Sequence, residues 1–179
     1  MKIIIRENQL DLLNNGIITY HGGEYKLTNK NIKDEGLFTT PDKESAMWYV
    51  ERADGWLTKM IVDIKNPLTI KNGNDFKKLW IPILDDTNID YKFNDGGNHG
   101  WSFKSYDIIN HGGSGEYNIF DLIYIDEFVD SAKKHGYDGI VGWDVMFNYS
   151  IPIYIPFYGK NINIIDSVKL GDEKNIDRL

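Results

Sequence analysis

Short runs of β-branched and aromatic residues, each cut off by glycine, proline or asparagine, recur along the chain and leave room for few helices. The first spans Gly16–Gly23, where Ile17, Ile18, Thr19, Tyr20 and His21 run into Gly22 and Gly23. Further runs lie at Gly36–Thr39 and at Leu57–Ile64, the latter closed by Asn66-Pro67. Three more follow at Tyr137–Val141, Ile153–Phe157 and Ile162–Ile165. Two segments carry a helical period instead. After Thr40, a good N-cap, come Pro41, Asp42 and Glu44 at first-turn positions, and then Ala46, Tyr49, Val50 and Ala53 at i, i+3, i+4, i+7. The second segment, Phe120–His135, sets Ile125, Phe128, Val129 and Ala132 in a stripe, with Gly136 placed as the left-handed stop. Strands dominate and helices are inserted between some of them, so the expected class is α+β.

A chain of 179 residues fits one domain, here 1–179. Between the readable halves, Asn74–Trp80 reads as a short helix. Ile81–Tyr117, with its many glycines, reads as a loop-like insertion over the core (81–117). Twenty Lys+Arg against 27 Asp+Glu leave a net charge of −7, which argues against a general nucleic-acid or membrane-surface binder. The chain holds no cysteine, which excludes disulfides, thiolate catalysis and Cys-type zinc sites. Only three apolar residues precede the first charge after Lys2, and no run approaches 18 apolar residues. Neither a secretory signal nor a membrane span is expected, and a cytoplasmic protein is.

The four histidines, His21, His99, His111 and His135, show no metal-ligand spacing, so no metal is expected. His135 suits a helix C-terminus, and His99 and His111 fall among glycines. There is no P-loop and no Rossmann fingerprint. His21 stands apart because it ends a strand and precedes two glycines, which let a ligand approach the backbone closely.

Tyr20-His21-Gly22-Gly23 resembles the opening motif of the diphtheria-toxin-like and poly(ADP-ribose)-polymerase-like ADP-ribosyltransferases, a strand ending in His-Gly. Gly36-Leu37-Phe38-Thr39-Thr40 with Ala46 and Tyr49 resembles their second motif, in which an aromatic precedes a helical Ala-x-x-Tyr by eleven residues. Ile61–Leu68 and Lys134–Val141 are similar to segments of a phage and mobile-element branch, the polyvalent-protein ADP-ribosyltransferases. Ile153–Ile165 resembles that branch's closing strands. The likeness covers roughly residues 16–70 and 120–168 and implies split mixed or antiparallel sheets with flanking helices.

The resemblance implies NAD as co-substrate. His21 would bind its adenosine ribose, and the Gly22 backbone would hold the nicotinamide carboxamide. Phe38, Thr39 and Tyr49 would complete the NAD contacts, with the two aromatics against the nicotinamide ring. Two departures stand out. Phe38 replaces the usual Tyr, and Ile153 stands where the family places its catalytic Glu. Anti-CRISPR ADP-ribosyltransferases place an Asp just after the Gly-Tyr-Asp-Gly strand, which implies Asp144 as the catalytic carboxylate and His21 as its partner in the site. Asp138, beside Gly139, reads as a turn or strand-edge residue. Lys26 and Lys65 are candidates for the pyrophosphate.

The implied function is mono-ADP-ribosylation of a protein by a phage or mobile-element effector, acting on a host or defence protein in the bacterial cytoplasm. A catalytically inactive binding module on the same fold and an NAD glycohydrolase are the alternatives.

Overall fold

The structure, a computed structural model, describes residues 16–69, 76–89, 108–109, 116–117, 119–146, 149–171 and 179. In chain order its strands are β1 (Ile17–Gly23), β2 (Trp56–Val62), β3 (Pro67–Thr69), β4 (Ile108–Ile109), β5 (Glu116–Tyr117), β6 (Gly139–Met146), β7 (Tyr149–Pro156) and β8 (Ile162–Lys169). The helices are α1 (Lys43–Ala53), α2 (Ile81–Asp85) and α3 (Asp126–Lys134). The class is α+β, with two three-stranded sheets and a two-stranded ribbon, β4-β5.

One sheet is antiparallel in the order β1-β2-β8. The other runs β3-β6-β7, with β3 parallel to β6 and β6 antiparallel to β7. Thr39 and Thr40 join them: Thr40 bridges Tyr20 of β1, while Thr39 bridges Tyr154 of β7. The join is reinforced by side chains, since the Thr39 hydroxyl donates to the Tyr154 carbonyl at 2.7 Å and the Thr40 hydroxyl to the Pro152 carbonyl at 2.9 Å.

That seam moves the start of α1. Thr40, expected as its N-cap, is held in the bridge, and the cap is Asp42, whose carboxylate accepts from the Glu44 amide at 3.1 Å and the Ser45 hydroxyl at 2.8 Å. On α1, Ala46 and Val50 are buried as their spacing requires, whereas Tyr49 is 42% exposed and is no core residue.

Each sheet packs its own core. α1 lies on the outer face of β1-β2-β8, burying Ala46 and Val50 against Leu57 and Val168. The inner face gathers Met60, Val62 and Ile162, with Tyr154 of the second sheet packed against them. The largest cluster joins Ile140, Ile153 and Ile155 of the second sheet to α3, through Phe128, Val129 and Ala132. Burying each such side chain contributes roughly 1.5–3 kcal/mol. α3 is shorter than the expected Phe120–His135: a 3-10 turn over Ile119–Tyr124 precedes it and Ile125 stands at its N-cap, while Phe128, Val129 and Ala132 are buried as their stripe requires. It carries Asp126 and Glu127 at its start and Lys133 and Lys134 at its end, and stops at Gly136 with φ +88°.

The middle of the chain departs from expectation at its beginning. Phe76–Trp80 form a wide π-type turn leading directly into α2, and Trp80, Ile83 and Leu84 are fully buried. The Trp80 ring stacks on Phe128 at 5.7 Å. Residues 81–85 are therefore helical and not loop, and Ile83, Leu84 and Ile89 belong to the core. Most of the remaining insertion lies outside the described residues, as do His99 and His111.

β6 also runs further than the expected Tyr137–Val141, because β7 pairs with it along its whole length from Gly139↔Pro156 to Met146↔Tyr149. Asp144 thus sits within a strand, opposite Ile151, and not in a loop after one.

Candidate functional site

Strand alternation sorts the end of β1. Tyr20 and Gly22 face α1, while Thr19 and His21 face the inner side with their register partners Met60 and Thr58. A Cβ on Gly22 would collide with the Ala46 carbonyl oxygen, so only glycine lets α1 sit this close to β1.

The main chain of Gly22 has a second consequence. Tyr20 gives its N–H and its carbonyl to Thr40, at 2.7 and 3.0 Å. In an antiparallel strand every second residue turns these groups to the same edge, so Gly22 directs its N–H and C=O where Tyr20 does. Residues 36–39, expected as a strand, are not one: only isolated bridges at Thr39 and Thr40 form, the pairing with β1 ends there, and among the described residues neither group has a partner. The strand end therefore offers a donor and an acceptor side by side.

His21 adds an acceptor next to them. Its Nδ1 lies 2.8 Å from the Phe38 carbonyl, and since a carbonyl only accepts, Nδ1 carries the proton. Burial pushes the imidazole below its usual pKa, against a smaller upward pull from that hydrogen bond. The ring is neutral at pH 7, and its Nε2 presents a lone pair. A Cβ on Gly23 would sit 2.7 Å from Nε2, so this glycine keeps the acceptor uncovered. An N–H, a C=O and an imidazole lone pair together complement a primary carboxamide beside a hydroxyl.

The other expected residues fall into different positions. Phe38 is half-buried, supplies the carbonyl that orients His21 and packs its ring against the Trp80–Phe128 cluster. Thr39 is 1% exposed and its hydroxyl is engaged by Tyr154, so it acts as the seam between sheets and offers no side-chain surface to a ligand. Tyr49 stands on α1 with its ring edge-on to Trp48 at 5.1 Å.

Asp144 is placed by its backbone alone, two strands from the Thr39 seam and three residues along β7 from Tyr154; its side chain lies outside the description. Ile153, at the position the resemblance gives to Glu, is 2% exposed within the apolar core.

Asp138 is a clamp. One carboxylate oxygen accepts from the Asn66 amide at 2.9 Å, the other from the Lys65 amide at 2.8 Å, pinning the turn before β3 to the start of β6. Lys65 pairs with Asp63 at 2.9 Å, and Lys26 lies over the Trp56 ring at 5.2 Å. His135 caps α3 and meets Asp86 at 2.7 Å. Among the described residues no group of three His, Asp or Glu could hold a metal ion, and no helix is long and apolar enough to cross a membrane.

Sequence reasoning singles out His21 and Gly22 but not the edge of Gly22 that has no partner among the described residues, which follows from Thr40 pairing with Tyr20 and the bridge ending there. No protein-family model, curated protein or solved structure matches this chain.

Proposed function

We propose that the chain is an NAD-dependent mono-ADP-ribosyltransferase that modifies a protein. The observation that carries this reading is the end of β1, where the N–H and C=O of Gly22 have no partner among the described residues and follow directly on His21 with its Nε2 lone pair. The nicotinamide of NAD carries a primary carboxamide, which can accept from that N–H and donate to that C=O. A ribose hydroxyl can donate to Nε2. The donor set thus fits the group, and Gly23 keeps a side chain away from Nε2.

In this reading Gly22 and His21 fix the two ends of the dinucleotide, and exposed Tyr49 stacks against the nicotinamide ring. Asp144 supplies the negative charge opposite the positive charge that develops on the ribose as the glycosidic bond breaks. Nicotinamide leaves with the bonding electron pair as a neutral group, so no strong acid is required. The acceptor side chain of the target protein bonds to the ribose carbon, and Asp144 takes its proton. The split-sheet form of the ADP-ribosyltransferase fold, the phage or mobile-element origin, the host or defence target and action in a bacterial cytoplasm belong to the same proposal and rest on the sequence resemblance.

A second reading, a binding module without catalysis, is favoured by Ile153, an apolar core residue where the family carries its acid. One experiment separates them. The chain and its Asp144→Asn variant are incubated with radiolabelled NAD and bacterial lysate. Label on a discrete protein band that falls at least a hundredfold in the variant is the expected result. NAD binding with neither label transfer nor nicotinamide release identifies the binding module.

A further inference from the structure

We propose that the outer face of the β1-β2-β8 sheet carries a receptor niche for a leucine residue and its main-chain oxygen, filled here in cis by Leu179. The niche is built from two kinds of group. Ala46 and Val50 of α1 and Leu57 and Val168 of the sheet form apolar walls, and Leu179 is buried among them at 7% exposure. Beside them two donors converge on one atom: the Lys59 ammonium lies 2.6 Å from the Leu179 oxygen, and the Tyr20 hydroxyl 3.2 Å. Tyr20 and Lys59 are cross-strand partners in the β1–β2 ladder, so the strands themselves set their spacing.

The direction of Lys59 is informative. Its register partner on β8 is Asp166, an acid within the same sheet. Asp166 instead accepts from the Ser167 amide at 2.8 Å, and Lys59 reaches over the Tyr20 ring to Leu179. A half-buried lysine so placed is matched by an oxygen acceptor next to an apolar side chain, at the short end of charge-assisted hydrogen bonds. Empty, the niche would leave an apolar hollow between helix and sheet. Its occupant class is a peptide presenting leucine with a main-chain oxygen alongside, and this niche lies on the opposite face of β1 from His21. The inference needs nothing from the reading of NAD chemistry.

The test uses the full chain carrying Leu179→Ala and a fluorescein-labelled octapeptide of residues 172–179, followed by anisotropy. The peptide is expected to bind this variant saturably and at least tenfold more tightly than the unsubstituted chain, whose own Leu179 competes at high effective concentration. The same peptide ending in alanine should bind at least tenfold more weakly, and adding Lys59→Met to the receptor should weaken the leucine peptide at least fivefold. Equal affinity for the substituted and unsubstituted chains, or for the two peptides, overturns the proposal. Should Leu179→Ala fail to fold, leucine-methyl NMR of the Lys59→Met chain decides. Leu179 methyl resonances moving toward random-coil positions support the clamp, and unchanged resonances contradict it.

Discussion

All four histidines precede a glycine; among the described residues the His-Gly pair lies at the end of β1 and again at the end of α3, and these two do opposite things. At His135 the ring is held by Asp86, the helix ends, and Gly136 takes a left-handed φ that an L side chain would strain. At His21 the ring is oriented by a backbone carbonyl, burial keeps it neutral, and one nitrogen is left to accept. Gly22 is there for close approach: the room a side chain would need is taken by α1. The same two residues therefore stop a helix in one place and, in another, leave main-chain groups without a partner among the described residues. What separates them is the neighbouring backbone: a helix that terminates, against the bridge that Thr40 makes with Tyr20 and does not extend.

The sharpest way to break this contrast is to add one methyl to each glycine. Gly22→Ala drives a Cβ into the Ala46 carbonyl and should cost about 3 kcal/mol or more. Gly136→Ala meets nothing nearer than 3.9 Å and should cost only about 1–2 kcal/mol for its left-handed φ. Urea unfolding of both variants measures this, and equal costs would mean that α1 does not rest on β1 as described.

Exchanging the histidines gives a smaller effect of a different kind. His21→Ala should weaken NAD binding by tenfold or more, about 1.4 kcal/mol, because the hydroxyl acceptor is lost. His135→Ala should leave NAD binding unchanged and lower stability by about 1 kcal/mol or less, since its pair with Asp86 is exposed to solvent. Titration calorimetry and thermal unfolding of the two variants separate these outcomes.

The smallest effect is the dependence on pH. Charging His21 means charging a desolvated ring, so the folded state takes up that proton less readily than the unfolded chain. The stability associated with the neutral ring is intact above the ordinary imidazole range and is lost as pH falls through the lower folded value. NAD binding should weaken over the same acid window, because protonated Nε2 no longer accepts. A His21→Gln chain should show neither acid loss, by calorimetry and unfolding across pH 4–8, an interval spanning roughly the carboxylate and imidazole ranges.

Local pattern carried much of this fold and little of its long-range pairing. The α3 stripe and its stop at Gly136 were legible because both are set within a dozen residues. The β1 run and its glycines were equally plain. The start of α1 was misplaced because Thr40, a good cap by type, is recruited by Tyr20 and Pro152, residues whose proximity no local pattern reports. Asp144 was placed after a strand because the extension of β6 depends on β7 lying beside it. Trp80, Ile83 and Leu84 fall in or beside the segment whose glycines suggest an insertion, and packing on α3 makes them core. In the site, His21 and Gly22 were visible as residues. The partnerless edge of Gly22 was not, because it is a property of where the seam stops.

The central claim is that the Gly22 edge reads a carboxamide. Calorimetric titration with NAD and with its nicotinic acid analogue tests it most directly. The analogue's carboxylate has no hydrogen for the Gly22 carbonyl and sets a negative charge against it, leaving that group unpaired. The account predicts saturable NAD binding and at least tenfold weaker binding of the acid analogue. Equal affinity for the two, or no binding of NAD at all, would contradict it.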